Sequence, residues 1–266
     1  MSTGFSTLEL IVAAILVVAS AGLSLALKLG IHRSMLISAA RMVVQLLIVG
    51  LLLRSIFAMT NPWITAGLVA LMILAASYEV SARQQRKLAG AWNFIVSGAA
   101  VSASTLFVSL FALTSVAMTQ DWTAPQVAIP IAGIVLGTSM NAASVGLTAL
   151  MDGLVADRDA IEARLALGHS KRQAVQKLMQ RAAHTGTINV INQMAGAGII
   201  TLPGIMSGQV LAGQDPLIAA QSQIFLMLLL GAVSTASIVI AITLALGRLT
   251  DERHRLRLDH LQGAVG

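Results

Sequence analysis

Long apolar runs dominate this chain, and short polar intervals separate them. A helix needs roughly 20 apolar residues to cross the hydrocarbon core of a bilayer. Seven runs reach about that length: Thr7 to Leu27, Met35 to Phe57, Pro62 to Val80, Ala91 to Ala117, Pro125 to Met151, Thr185 to Ala212 and Pro216 to Leu246. The pattern therefore predicts an all-α, polytopic integral membrane protein with about seven transmembrane helices.

The composition agrees with this class. Of the 266 residues, 56% are hydrophobic and 11% are charged, whereas about a quarter of a soluble domain is charged. The chain has no cysteine, which excludes disulfides and thiolate metal sites. No Lys or Arg precedes Lys28, so residues 1–27 are expected to be a retained first span rather than a cleavable signal peptide.

The positions of the basic residues predict the orientation, since cytoplasmic loops are enriched in Lys and Arg. If the polar interval 152–182 is cytoplasmic, 15 of the 17 basic residues fall on that side or in the tail. We therefore expect the N-terminus outside the cell and the C-terminus in the cytoplasm. The membrane is expected to be the inner (plasma) membrane. The net charge of +6 then reports loop orientation, and no nucleic-acid partner is expected.

The domain organisation is expected to be simple. Residues 1–249 are predicted to form a single transmembrane domain, and residues 250–266 a short charged cytoplasmic tail. The last residues, Gln262 to Gly266, are predicted to be disordered.

The cytoplasmic interval 152–182 carries the most informative pattern. Its apolar positions predict a short helix, a turn at Gly168, and a second amphipathic helix with Ser170 as its N-cap. A short, rigid, exposed element of this kind suits the mechanical coupling of two proteins. The alternative from residue types alone is a basic amphipathic helix lying on anionic lipid headgroups.

The spacing Glu162-Ala163-x4-Gly168 resembles the EAA loop, with which ABC importer permeases dock their ATPase. The chain departs from that loop at Arg164, where the loop has alanine, and at Gln180-Arg181, where the loop has Leu-Pro. These departures count against an ordinary importer permease. The candidate ATPase-coupling residues are Glu162, Ala163, Arg164, Gly168, His169 and Ser170.

An ordered set of pieces across the chain resembles a narrower family, the small FetB-like permeases. These are related to bacterial iron exporters and to a plant aluminium-tolerance permease. The matching pieces include Arg41-x3-Gln45-Leu46, Ile129-Pro130-Ile131-Ala132-Gly133 with Met140, Leu202-Pro203-Gly204-Ile205-Met206-Ser207-Gly208 and Gly213-x-Asp215-Pro216. The resemblance implies an ABC permease that works as a homodimer on two separate ATPase subunits, and it suggests iron export.

Polar residues inside the predicted spans are candidates for a transport pathway or for helix packing. Arg41 and Gln45 share one helix face. The alternative for Arg41 is that its side chain extends to the cytoplasmic headgroups. Pro130 and Pro203 are each expected to break a span, and a break frees backbone carbonyls that can bind a cation. The candidates are Arg41, Gln45, Met140, Asn189, Asn192, Gln193, Pro203, Met206 and Ser207.

The sequence indicates a permease and not an enzyme. A P-loop requires a Gly-Lys pair, and none occurs, so ATP and Mg are expected in the partner subunit and no cofactor in this chain. No metal-ligand spacing is apparent. The open alternatives are an ABC permease for a lipid or nucleotide sugar, an ion-coupled secondary transporter, which would need intramembrane acids, and a scaffold protein.

Overall fold

The computed structural model describes residues 6–56, 61–116, 125–250 and 256–262. Its helices are α1 (Thr7–Ala26), α2 (His32–Ile56), α3 (Pro62–Arg83), α4 (Trp92–Val116), α5 (Pro125–Ala156), α6 (Arg158–Ala166), α7 (Lys171–Gly196), α8 (Gly204–Leu211) and α9 (Pro216–Leu249). Two-residue strands, β1 (Lys87–Leu88) and β2 (Leu261–Gln262), and one 3-10 turn (Leu258–His260) complete the described chain. The predicted all-α membrane class is confirmed.

The helix starts follow local sequence signals. Ser6 and Glu9 form a capping box before α1, in which each side chain accepts a backbone N–H of the other. Asn61 and Asp215 cap α3 and α9, and each is followed by proline at the first helical position. Proline suits that position because its missing N–H would have no intrahelical partner there.

The chain forms two compact units, Met1–Thr60 and Asn61–Gly266. The first unit contains α1 and α2, which contact each other. None of the apolar span within α2 is buried. An all-round exposed apolar helix is suited to a lipid or protein environment rather than to water.

The second unit is built around α5 and α9, which pack on each other, on α4 and on α7. Its core includes the fully buried side chains of Leu147, Leu150, Leu154, Ile238 and Leu249. Small residues allow these helices to approach closely. A Cβ added at Gly186 of α7 would lie 2.9 Å from the backbone carbonyl oxygen of Ala142 in α5.

Three buried serines join α4, α5 and α9. The Ser104 and Ser139 hydroxyl oxygens lie 2.8 Å apart, and the Ser139 hydroxyl donates to Ser237 Oγ at 3.0 Å. The Ser237 hydroxyl in turn donates to the Ser139 backbone carbonyl at 3.1 Å. These hydrogen bonds satisfy hydroxyl groups that would otherwise be costly to bury.

The tail is partly ordered against the bundle. Lys87 of β1 pairs with Gln262 of β2, and the Arg248 guanidinium lies 4.7 Å from the centre of the Trp92 ring. The prediction of disorder from Gln262 is therefore wrong for Gln262 itself. Residues 263–266 lie outside the described residues.

Two predictions about the spans are corrected. The sixth span, Thr185 to Ala212, was predicted to start too late, because α7 already begins at Lys171. Its predicted break at Pro203 is present, since α7 ends at Gly196 and α8 begins at Gly204. Pro130 does not break its helix, because it lies close to the start of α5, where a single missing N–H disturbs few helical hydrogen bonds.

Among the described residues, six helices are long and apolar enough to cross a membrane: α1, α2, α3, α4, α5 and α9. The helix α7 falls outside this set because charged and amide side chains run along it. The count of seven, the orientation and the single domain over 1–249 stay predictions.

The glycine pairs Gly133-x3-Gly137 and Gly204-x3-Gly208 have a spacing that favours close helix packing. Only Gly133 comes near another helix, where its added Cβ would lie 3.3 Å from Met72 Cε. An added Cβ at Gly137, Gly204 or Gly208 meets no atom of the described chain within 4 Å. Close approach occurs instead at Gly146, Gly153 and Gly186.

Candidate functional site

The α6–α7 turn, residues 167–170, has the predicted helix–turn–helix form. Gly168 adopts φ +86°, a left-handed conformation that disfavours residues with a Cβ. The His169 N–H donates to the Arg164 carbonyl at 3.1 Å, and the Gly168 N–H donates to the Leu165 carbonyl at 3.0 Å. These bonds close the end of α6 in the manner of a glycine C-cap.

The next helix starts at a predicted cap. The Ser170 hydroxyl accepts the Gln173 N–H, and the Gln173 side chain accepts the Ser170 N–H at 3.0 Å. The capping box is therefore complete, and α7 leaves the turn in a fixed direction.

Three contacts fix α6 to the bundle. Ile161 is 1% exposed and belongs to the main core cluster. Arg164 Nη1 donates to the Ala174 carbonyl at 3.0 Å, and Arg181 of α7 pairs with Asp157, just before α6, at 3.4 Å. The α6–α7 turn thus projects from the bundle on a helix, α6, that is attached to the core and to α7.

The outer side of this projection is exposed. Glu162 lies there and pairs with Arg158 at 2.9 Å, which raises the pKa of the Arg158 guanidinium through the hydrogen bond to the carboxylate. Leu167, at the tip of the turn, is 78% exposed. Sequence reasoning had not counted Leu167 among the coupling residues, although a large apolar side chain beside the turn glycine is the available signal.

A polar cavity, here named the amide cavity, lies between α5, α7 and α9. It has a volume of about 220 Å³ and is lined by Thr138, Asn141, Asn189, Gln193 and Ser234, together with small residues. The structure therefore brings two of the three predicted amides of α7 to one place. Asn192 is exposed and does not line this cavity.

A second cavity, here named the break cavity, lies where α7 gives way to α8. It has a volume of about 300 Å³, and its lining includes Gln193, Thr201, Pro203 and Gln223. The predicted break at Pro203 is present, since the segment 197–203 is not helical. Gln193 lines both cavities.

The remaining predicted pathway residues lie elsewhere. Arg41 and Gln45 are exposed on α2, in the first unit. Met140 is partly buried and packs against the main core. Met206 and Ser207 are half-buried on α8, where the Ser207 hydroxyl donates to the Gly204 carbonyl at 3.0 Å. Met140, Met206 and Ser207 line neither of the two cavities.

Residues of the usual metal-binding types are dispersed. Within the described part of the chain, no three His, Cys, Asp or Glu residues are grouped so that they could hold a metal ion.

Comparison with known sequences identifies the family. The model of the Uncharacterised protein family UPF0014 matches residues 7–249. The chain belongs to the UPF0014 family. The match covers every candidate site residue, from Arg41 on α2 to Ser207 on α8, and ends where α9 ends.

Relatives in the UPF0014 family come from bacteria and plants. The UPF0014 membrane protein slr1647 of Synechocystis is 33% identical over 85% of this chain and 86% of its own length. The probable iron export permease protein FetB of Escherichia coli is 27% identical over 96% of each chain. The protein ALUMINUM SENSITIVE 3 of Arabidopsis thaliana is 31% identical over 81% of this chain and 77% of its own.

The predicted resemblance to the FetB-like permeases is confirmed by these relatives. As a UPF0014 protein with six long apolar helices in its described part, the chain is a multi-pass membrane protein. No solved structure matches it significantly.

Proposed function

We propose that this chain is the transmembrane permease subunit of an ATP-binding-cassette transporter in the inner (plasma) membrane. It exports iron or a related metal ion from the cytoplasm, and a separate ATPase subunit binds ATP and Mg. Two copies of the chain act together on two ATPases. The proposal of iron export is based on the similarity to FetB, the probable iron export permease with which the chain aligns over 96% of its length.

The observation that carries the proposal is the exposed α6–α7 turn on a fixed base. A coupling element must transmit motion, so it must not bend where it meets the bundle. Ile161 and Arg164 hold α6 against the core and against α7, while Glu162 and Leu167 face outward. An apolar tip beside a charged side chain suits a groove on a partner protein.

The basic amphipathic alternative, a helix lying on lipid, fits this geometry less well. The apolar side chain of Ile161 is buried in the protein, so it is not available to insert into headgroups. Leu167 alone offers little apolar area for membrane binding, which depends on the area buried.

A secondary transporter driven by protons is also less well supported. Such a transporter needs acids within its spans. In the described parts of the six apolar helices the acidic residues are Glu9, Glu79 and Asp152. Glu9 is the third residue of α1, and Glu79 and Asp152 are each the fifth residue from the end of their helix, so none lies near the middle of a span. Glu79 also pairs with Arg83 at 2.9 Å, as the i, i+4 spacing predicts.

The test is purification of the tagged chain from its own cells in mild detergent, followed by mass spectrometry. We expect an ABC ATPase at about equal amounts. Leu167→Asp should remove it, because a charge at the tip opposes burial in a groove, whereas Gln176→Asp, an exposed position on α7, should retain it. Glu162→Gln and Asp159→Asn, two exposed acids of α6, form a second pair, and only the first should weaken recovery.

Recovery of the chain without an ATPase in several detergents would overturn the proposal. Cargo is tested separately with the recovered complex in lipid vesicles. Fe²⁺ should stimulate ATP hydrolysis and accumulate on the side opposite the ATPase. Stimulation by a lipid or a nucleotide sugar, and not by Fe²⁺, would retain the permease and replace its cargo.

A further inference from the structure

The amide cavity contains side chains whose hydrogen-bonding groups are unused by the protein. Within the described residues, no hydrogen bond is made by the side-chain amides of Asn141, Asn189 or Gln193. Asn189 and Gln193 are exposed and Asn141 is half-buried, so all three amides are open to water or to a ligand that enters the cavity. The three amides are on two helices, α5 and α7, so the protein fold itself brings them together.

Thr138 adds a hydroxyl oxygen that can act only as an acceptor toward a cavity ligand. Its hydroxyl donates to the Ile134 carbonyl at 3.1 Å, as threonine often does within a helix. The hydroxyl hydrogen is therefore occupied, and the oxygen lone pairs remain for a cavity ligand. The Thr138 oxygen therefore suits a ligand that accepts electron pairs, such as a cation, and each neighbouring amide also carries an oxygen that can bind one.

The break cavity is more apolar, but it contains a buried amide. Its lining includes Ile134, Ile205, Leu226, Met227 and Leu230 beside Gln193, Thr201 and Gln223. Gln223 of α9 lines this cavity and is only 5% exposed. Its side-chain oxygen Oε1 has no hydrogen-bond partner among the described residues. A buried amide oxygen without a partner is uncommon and calls for an explanation, such as an unseen water or ion. Gln193 lies between this oxygen and the amide cavity, since it lines both.

Neither cavity has a charged lining residue. Carbonyl, hydroxyl and water oxygens suit hard divalent cations, whereas soft Cu(I) selects thiolates and thioethers. The amide cavity has no sulfur ligand. Its volume of about 220 Å³ holds a cation together with several of its waters.

We propose that the amide cavity binds a partly hydrated hard divalent cation through neutral amide and hydroxyl oxygens. The cation then passes by way of Gln193 to the break cavity and Gln223. This inference rests on the proposed function, for which it names the cargo class and its site. Neutral ligands bind a divalent cation weakly, and weak binding at successive sites permits release as well as entry.

The experiment uses the full chain in detergent micelles, with Mn²⁺ as an oxygen-preferring probe whose free concentration is read by electron paramagnetic resonance. Gln193→Glu should lower the Kd for Mn²⁺ at least tenfold, because a carboxylate replaces a neutral ligand. Gln193→Leu and Asn141→Leu should each raise it at least tenfold. Gln180→Glu, an exposed position on the same helix outside both cavities, should change it less than twofold.

A second measurement separates binding from folding. Thermal unfolding of each variant in the same detergent identifies any that has lost its structure, and Asn189→Asp provides a further charged variant in the same cavity, expected to lower the Kd as Gln193→Glu does. Equal Mn²⁺ binding by wild type and all folded cavity variants would overturn the cation site. The cation site would also be overturned if Gln180→Glu lowered the Kd for Mn²⁺ as much as Gln193→Glu does.

The outcome is distinguishable from the fate of the proposed function. If an ATPase co-purifies but the cavity variants leave Mn²⁺ binding and Fe²⁺ export unchanged, the site is wrong and the permease stands. If the cavity variants shift Mn²⁺ binding as expected but no ATPase is recovered, the site stands and the coupling to an ATPase is wrong.

Discussion

The guanidinium of Arg164 in α6 donates a 3.0 Å hydrogen bond to the backbone carbonyl of Ala174 in α7. The bond reaches across the α6–α7 turn and ties the two helices that flank it. Ala174 is itself fully buried. The position that departs from the EAA loop, arginine in place of alanine, therefore supplies a strut that an alanine could not.

Arg164→Gln is expected to loosen α6 and reduce ATPase stimulation severalfold, while the chain still inserts. A charged hydrogen bond of this kind contributes about 1.5 to 3 kcal/mol, which is enough to alter the population of the fixed turn. ATP hydrolysis by the reconstituted complex measures the effect. Lys177→Gln, exposed on α7, is the control, and equal activities of the two variants would argue against the strut.

Gly168→Pro should abolish recovery of the ATPase without preventing membrane insertion. Proline fixes φ near −65°, which is incompatible with the φ of +86° at this position, and it also removes the N–H that donates to Leu165. Gly168→Ala should show a milder loss, since a left-handed conformation costs a residue with a Cβ about 1 to 2 kcal/mol. Gly67→Ala, in α3 where an added Cβ meets nothing within 4 Å of the described chain, should behave as wild type. Undiminished transport by Gly168→Pro would remove the turn from the mechanism.

Gly186→Ala should destabilise the α5–α7 contact by about 1 to 3 kcal/mol, the usual range for overpacking a buried site. Its added Cβ would lie 2.9 Å from the Ala142 carbonyl oxygen and 3.1 Å from Ile238 Cγ1. The backbone atom cannot move aside as a flexible side chain would. Thermal unfolding in detergent should show a lower midpoint than for Gly137→Ala, where space is open. A midpoint equal to that of the control would contradict this packing.

Ser139→Ala should lower stability by about 1 kcal/mol. The loss is modest because Ser104 can still donate to the Ala100 carbonyl, and Ser237 to the carbonyl of residue 139. Ser139→Val should cost more, since residue 139 is fully buried and the larger side chain has no room. The matched control is Ser222→Ala, an exposed serine that bonds within its own helix. An unfolding midpoint for Ser139→Val at or above that of wild type would show that the three helices are less tightly joined here.

The sequence predicted those features whose signals are local. The apolar runs placed α1 to α5 and α9 within several residues of their observed positions, and serine followed by glutamine three residues later correctly placed the start of α7 at Ser170. The turn at Gly168 was predictable for the same reason, because glycine after an amphipathic stretch is a helix-ending signal.

Features that depend on the tertiary structure were not predictable. The transition from polar to apolar residues near Thr185 marked the expected start of a span, yet α7 runs through it, because a helix is limited by backbone breakers and not by a change in its surroundings. The pairing of Gln262 with Lys87 joins positions far apart in the chain, and no local pattern reports such contacts. The amide cavity was half predicted, since Asn189 and Gln193 share a helix face, but Thr138 and Asn141 meet them only through the packing of α5.

The continuity of α7 has a mechanical consequence. A helix of 26 residues is about 39 Å long, and it runs without interruption from the cap at Ser170 to the amides at Asn189 and Gln193. A tilt of such a helix by about 5° about one end would displace its other end by about 3 Å. Motion at the turn needs no relay of side chains to reach the cavity, and a displacement of that size is comparable to the diameter of one water molecule.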